Sequence, residues 1–321
     1  MQDVIAPCEI HCITLPTPFA VGDVNVFVVV SEKITLIDAG VKTEEAWGHF
    51  TKELARIGYT VDDLDQVVIT HHHPDHVGML DYLPATLPVY GHHFNRPWIT
   101  KDPEFFERHD LFYRDLFLNL GLNEAFLLKS TQLKAPLAYS CNRPLTYELK
   151  ECDTIPGLPG WTVLETPGHA QSHIAMYHKE CQVLLGGDLL LGHISSNPLF
   201  EPPMEGNERP KTLLQYNESL RKIRNLQLKV VYTGHGEEIT EVKSLITERL
   251  HKQERRAEAV LEMLKEQPMN ALQICQQIFP QVYKKEIALT LSETLGQLDY
   301  LEEEGYIRVD TTQAVWMFHY I

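Results

Sequence analysis

The chain has 321 residues, with 28 Lys plus Arg against 44 Asp plus Glu and a formal net charge of −16. Hydrophobic residues are 44% and charged residues 22%, which excludes a disordered or fibrous chain and leaves one large globular domain or two moderate ones. So acidic a surface repels phosphate backbones at long range; general coating of nucleic acid is excluded, a local basic groove is not.

The Met1-Gln2-Asp3-Val4 start has neither the positive region nor the long apolar region of a signal peptide. The six cysteines, Cys8, Cys12, Cys141, Cys152, Cys181 and Cys275, form no C-x-x-C pair and no disulfide framework. A cytoplasmic protein with reduced, structural thiols is expected. Val24 to Val30 is the longest strongly apolar run, far below the ~20 residues that span a bilayer, so no membrane partner is expected. That run is β-branched and short, as a buried strand should be. Ile34 to Ile37 follows a polar turn and completes a hairpin. Thr43 opens a helix with Glu44 and Glu45 in its first turn, where the helix dipole favours negative charge. Residues 67–69 form a strand that runs into a histidine cluster, and 87–90 form another.

Between about 92 and 156 the pattern changes to Phe, Tyr and Leu, with Phe105, Phe106, Phe112, Tyr113, Phe117 and Phe126. This stretch reads as helices and loops inserted between core strands, either as side packing or as a lid over a pocket. Strands return at 161–165, 174–177 and 182–185, then a helix at 211–226 and a strand at 229–232. Beyond Glu238 come one charged periodic helix at 241–265, a break at Pro268, a short helix from Asn270, one or two helices in 284–304 and a terminal hairpin from 305–309 and 314–318. Helices followed by a hairpin resemble a winged helix. The expected division is a catalytic domain, 1–237, and a small winged-helix-like domain, 238–321.

The strongest local signal is Thr70-His71-His72-His73-Pro74-Asp75-His76-Val77-Gly78, directly after a buried strand. His71 and His73 are two apart and share one side of an extended segment, while Asp75 and His76 follow across a turn and can face a second position. Imidazole and carboxylate are the ligands of catalytic zinc. Three further ligand types follow apolar strands, each after glycine: Gly168-His169, Gly187-Asp188 and Gly234-His235. Glycine there permits close backbone approach. His72 alternates away from its neighbours, which favours packing or capping. His92, His93 and His109 have no ligand spacing.

The H-x-H-x-D-H string at His71, His73, Asp75 and His76, followed by His169, Asp188 and His235, resembles the metallo-β-lactamase-fold hydrolases over roughly residues 10–236. The resemblance implies an α/β fold, an αββα sandwich with a metal site at one edge of two packed sheets. It implies that His71, His73 and His169 hold one metal, that Asp75, His76 and His235 hold another, and that Asp188 bridges them. Asp38, in Leu36-Ile37-Asp38-Ala39-Gly40, would steady the ligand loop. With its C-terminal segment the chain is similar to a subgroup that includes the β-lactamase-like protein 2 endoribonucleases and bacterial relatives of unassigned substrate. His173 is expected to be structural rather than a ligand. His193 is either a proton donor at the pocket mouth or an ordinary loop histidine.

Two zinc ions are the expected cofactors, with manganese or iron as alternatives. Metal coordination lowers the pKa of water from about 15.7 toward ~7, and a metal-bridging hydroxide attacks a small ester, thioester or lactone, with Asp75 orienting it. No Gly-x-Ser-x-Gly elbow or Walker loop competes. His73 stands where oxygen-reducing di-iron relatives carry Glu, which argues against that branch; a single-iron sulfur dioxygenase shares part of the pattern. A single-stranded RNA endonuclease is the second reading. Its support is weak, because Arg255-Arg256 and Lys284-Lys285 are the only paired basic residues of the C-terminal region. A non-catalytic DNA-binding regulator is the third, and Glu302-Glu303-Glu304 before the wing is a poor surface for phosphate. The appendage is expected instead to pack on the catalytic domain or to make a homodimer.

Overall fold

Two sheets carry the fold in the computed structural model, which describes residues 9–123 and 136–321; Phe126 and Cys8 lie outside them. One sheet places β1 (Glu9–Leu15), β2 (Val24–Val30), β3 (Ile34–Ile37), β4 (Gln66–Val68), β5 (Val89–His92) and β6 (Tyr147–Leu149) side by side in that order. Its first three strands are antiparallel and the rest parallel. The other sheet is built from β7 (Thr154–Ile155), β8 (Leu158–Glu165), β9 (Ile174–His178), β10 (Val183–Leu185) and β11 (Val230–Tyr232) in the spatial order β11-β10-β9-β8-β7. Only β10 and β11 pair in parallel there.

Successive strand residues point to opposite faces, and both faces here are covered. Phe27, Val29, Ile37 and Val68 meet Trp161, Val163, Ile174, Met176 and Leu185 between the sheets. Their neighbours Val26, Val28, Leu36 and Val67 face outward onto Ala46, Phe50 and Leu54 of α1 (Glu44–Arg56). The Thr43 hydroxyl caps α1 by accepting from Ala46 N at 3.1 Å. Short helices α2 (Pro74–Val77) and α3 (Arg96–Ile99) follow, then α4 (Pro103–Asn119). On the far side Leu164, Ala175, Leu184 and Val231 pack outward onto α5 (Thr212–Arg224) and α6 (Val242–Glu266) through Leu213, Tyr216, Leu220 and Ile246. The layers run helix, sheet, sheet, helix, which is the αββα sandwich that the resemblance implied.

The 92–156 stretch holds α3 and α4, and it also holds β6 and β7, one strand of each core sheet. After α6 come α7 (Ala271–Ile278), α8 (Ile287–Glu303) and the hairpin of β12 (Ile307–Asp310) with β13 (Met317–Tyr320). The 284–304 stretch thus contains one α-helix. Leu264, Ile274, Leu291, Leu295, Leu298 and Phe318 from this region share one core with Leu116, Phe117 and Leu120 at the end of α4 and with Phe200. The C-terminal segment therefore packs directly on the preceding chain. No helix among the described residues is long and apolar enough to cross a membrane.

Candidate metal centre

The parallel strands β3 and β4 end side by side, and their following loops form the floor of the site. Asp38, just after β3, has φ +59, a left-handed conformation that aspartate tolerates better than most residues. Its carboxylate accepts from Thr70 N at 2.7 Å, from the Thr70 hydroxyl at 2.8 Å and from His76 Nδ1 at 2.8 Å. Thr70 O in turn accepts from Ile174 N at 2.9 Å, which ties the two sheets together at this edge. The chain between Thr70 and His76 is thereby pinned at both ends, and α2 turns Asp75 and His76 inward.

Two groups of donors converge above this floor. In one, His73 Nδ1 lies 2.9 Å from His71 Nε2 and 3.0 Å from His169 Nε2. In the other, His235 Nε2 lies 3.3 Å from Asp75 Oδ2 and 3.5 Å from Asp188 Oδ2, while His76 Nε2 lies 3.4 Å from Asp188 Oδ1. Asp188 Oδ2 is also 3.6 Å from His169 Nε2, so one carboxylate reaches both groups. All seven residues expected as ligands come together, although they arise from separate loops. Gly234 makes this approach possible: a Cβ there would stand 2.1 Å from Asp188 Oδ1.

The rear nitrogens decide which way the front ones face. Thr70 gives its own proton to Asp38, so its hydroxyl accepts from His71 Nδ1 at 3.0 Å. His169 Nδ1 donates to Asn197 O at 3.1 Å, His235 Nδ1 to Asp23 O at 2.7 Å and His76 Nδ1 to Asp38. Each of these rings therefore turns its Nε2 toward the centre, where the neutral ring offers a lone pair. Lone pairs of His71 and His169 meet at His73 Nδ1, which has at most one proton to share between them. His76 Nε2, His235 Nε2 and Asp188 Oδ1 are buried with no hydrogen-bond partner. Buried orphans of this kind each cost ~1–3 kcal/mol, and cations placed among them remove that cost. Imidazole nitrogens with carboxylate oxygens form a donor set that suits zinc or iron. The residues fit a pair of metal ions.

Electrostatics divides the two groups. Burial and the surrounding histidines push His71, His72 and His73 well below the ordinary imidazole range. Burial likewise pushes His169 down, against the pull of Asp188. These rings are neutral nitrogen donors. Burial opposes charge on His76 and His235 as well, but the carboxylates of Asp188 and its neighbours win. They hold His76 well above its ordinary value and take His235 up to about 10. Burial would raise Asp188, yet His76 and His235 keep it well below the carboxylate range. The carboxylates of the second group thus favour protons on its imidazoles, and a metal bound there would displace them.

The other histidines take different places. Both His173 nitrogens are occupied, Nδ1 by the Thr166 hydroxyl at 2.8 Å and Nε2 by Asp188 N at 3.1 Å; burial pushes this ring down to about 3. It holds the backbone of Asp188. His72 stacks on Trp98 with centroids 4.1 Å apart, and its Nδ1 meets the Ser172 hydroxyl at 2.9 Å. His193 is exposed, with its ring close to Gly236. His92 caps the turn at Phe94, His93 lies near Glu205 and His109 packs among Trp98, Phe106 and Tyr113; none joins the centre. Sequence reasoning missed Glu201, a buried carboxylate 3.4 Å from His72 Nε2 that also accepts from Gln171 N at 2.9 Å. It lies in an irregular loop with no spacing to mark it.

The profile of the Metallo-beta-lactamase superfamily matches residues 20–235. Among curated proteins, Probable metallo-hydrolase YqjP of Bacillus subtilis (strain 168) is 46% identical over 306 residues, 95% of this chain and 94% of that protein. Beta-lactamase-like protein 2 homolog of Caenorhabditis elegans is 23% identical over 272 residues, 82% of this chain and 73% of that protein. The crystal structure of metallo-beta-lactamase family protein TTHA1429 from Thermus thermophilus superposes with a TM-score of 0.81 at 27% identity, covering 97% of this chain and 98% of that one. The likeness in structure extends past the sandwich into the C-terminal helices and hairpin.

Proposed function

We propose that this chain, which belongs to the metallo-beta-lactamase superfamily and is a metal-dependent hydrolase, holds two metal ions and cleaves a small ester, thioester or lactone. The observation that carries the reading is Asp188, whose oxygens face His76 on one side and both His169 and His235 on the other. His71, His73 and His169 would hold one ion, Asp75, His76 and His235 the other, and Asp188 both. Zinc is the first choice for these donors, with manganese or iron as alternatives. When bound, the ions supply a water acidic enough to attack at neutral pH and polarise the scissile carbonyl.

The chain's own residues do the rest. Asp38 and Thr70 hold the imidazoles of His76 and His71 by their rear nitrogens, so their lone pairs need no reorientation during turnover. Asp75 carries the carboxylate that orients the attacking water. In this reading His193, whose ring lies close to Gly236, gives a ring proton to the departing oxygen or sulfur. The winged-helix-like order of α7, α8 and the hairpin is read as a packing element rather than a nucleic-acid reader. Arg256 is ion-paired with Glu293 and lies over the Phe279 ring, so one arginine of this basic pair is already engaged within the protein. The net charge of −16 also favours a small substrate over a polyanion.

The test is hydrolysis of a panel of thioesters, aryl esters and lactones, with a labelled single-stranded RNA alongside, by zinc-loaded protein. Carbonyl hydrolysis is expected, lost in both Asp75→Ala and Asp188→Ala while the fold persists. Cleavage of RNA that disappears in Asp75→Ala would move the protein to the nuclease reading. Full activity in both variants would sink the two-metal assignment.

A further inference from the structure

The irregular loop that joins Asp188 to α5 meets the candidate centre repeatedly. It starts at Asp188, whose carbonyl accepts from the Ser196 hydroxyl. It carries His193 against Gly236. Asn197 O accepts from His169 Nδ1 at 3.1 Å, and Glu201 reaches Gln171 and His72. No helix or strand of its own gives the loop this shape.

Its other side is held by the C-terminal helices. Arg249 of α6 is 7% exposed, and its Nη2 lies 3.1 Å from Leu191 O, 3.2 Å from Gly192 O and 2.9 Å from Ile194 O. Asn197 Nδ2 donates to Leu289 O of α8 at 3.2 Å, and Phe200 N donates to the Ser292 hydroxyl at 3.1 Å. Burying a guanidinium is costly unless its hydrogens are used. Here Nε is buried without a partner, while Nη2 shares its hydrogens among three carbonyls of one short stretch, three to six residues beyond Asp188.

We propose that Arg249 is a positioning residue for the metal centre. By holding the 191–194 carbonyls it fixes the stretch between Asp188, whose carboxylate faces His169, and Asn197, whose carbonyl accepts from His169. The C-terminal segment is then part of the site's framework. This rests on the metal assignment above.

The experiment measures zinc affinity, by competition with a chromophoric chelator, and the visible absorption of the cobalt(II)-loaded full chain. The proteins are wild type, Arg249→Met, Arg249→Lys, Asn197→Ala and His71→Ala, each with a thermal melt of its metal-free form. Arg249→Met is expected to bind zinc about tenfold more weakly and to change the cobalt band, as loss of an outer partner of a ligand does. Arg249→Lys should recover part of both, since an ammonium keeps the charge and three donors. Asn197→Ala should shift affinity in the same direction by cutting the second anchor. A lower melting temperature in Arg249→Met, with wild-type affinity and cobalt spectrum, would mean a purely structural residue and overturn the proposal. Should Arg249→Met not fold, wild-type affinity and spectrum in both Arg249→Lys and Asn197→Ala would overturn it equally. The metal assignment fails differently: wild type then binds no zinc, or binds it unchanged in His71→Ala, and the proposal falls with it.

Discussion

Asp38→Asn isolates what a residue that never touches metal contributes to the centre. The Asp38 carboxylate accepts three short bonds, two from Thr70 and one from His76 Nδ1. An asparagine has the same shape and tolerates the φ of +59, so the backbone is not strained by the change. Its amide group, however, must face a donor in either orientation. The better orientation keeps oxygen toward the Thr70 hydroxyl and His76 and turns the NH2 onto Thr70 N, losing one bond and the charge behind the other two. Bonds to a charged group contribute ~1.5–3 kcal/mol and a stranded buried donor costs ~1–3 kcal/mol, so the metal-free protein should lose about 2.5–6 kcal/mol. Zinc affinity should fall about 10- to 100-fold, because the oxygen behind His76 no longer carries the charge that raises the ring's basicity. Urea melts in the presence of a chelator read the first effect, and a chelator competition reads the second. A variant within ~0.5 kcal/mol of wild type that binds zinc normally would refute the assignment of Asp38 as the ligand loop's anchor.

Gly234→Ala would place a methyl group 2.1 Å from Asp188 Oδ1, so Asp188 must move; metal analysis of the purified variant should show fewer than two ions per chain with the fold retained. His235 sits at about 10 in the metal-free protein against an ordinary 6.5. Its stabilisation is fully present below pH 6.5 and is lost as the pH climbs through about 10. Metal-free protein should melt at progressively lower temperature across that window, and zinc binding at neutral pH should release protons, measurable by calorimetry in buffers of different ionisation enthalpy. Glu201 is pushed up by burial from 4.5 to about 7, against the pull of its bonds from Gln171. The folded state therefore keeps a proton that the unfolded chain has released, and it weakens as the pH rises from 4.5 to about 7. Glu201→Gln should flatten the stability profile there; an unchanged slope would show that Glu201 carries its charge in the fold.

The legible parts of the fold are those where burial restricts residue type on both faces. Val24–Val30 reads as a strand because its odd and even residues both enter cores, one between the sheets and one under α1. β6 and β7 could not be read the same way. Tyr147 and Glu148 are exposed, β7 is two residues long, and their polar neighbours look like the helical stretch around them. The metal residues were legible because few side chains can serve as ligands and the strand ends space them in order. Arg249 and Glu201 were not, since their partners include backbone groups, which every residue possesses, and for Arg249 those partners lie 55 to 58 residues away in sequence.

That same blindness affects where the chain divides. The change of character near Glu238 suggests a boundary, but the cores do not end there. Removing residues 238–321 would strip Leu291, Leu295, Leu298 and Phe318 from the α4 end and uncover Phe117 and Phe200, which are 1% and 2% exposed. It would also remove Val242, Ile246 and Leu250 from the outer face of the second sheet. Exposing each large apolar side chain costs ~1.5–3 kcal/mol, so Phe117, Phe200, Leu116 and Leu120 together approach the ~5–15 kcal/mol that holds a typical domain folded. A 1–237 fragment should therefore be aggregation-prone, and without Arg249 and the other loop anchors it should hold zinc more weakly. Cooperative melting of that fragment within a few degrees of the full chain, with zinc bound as tightly, would show that the sandwich needs neither the shared core nor the loop anchors.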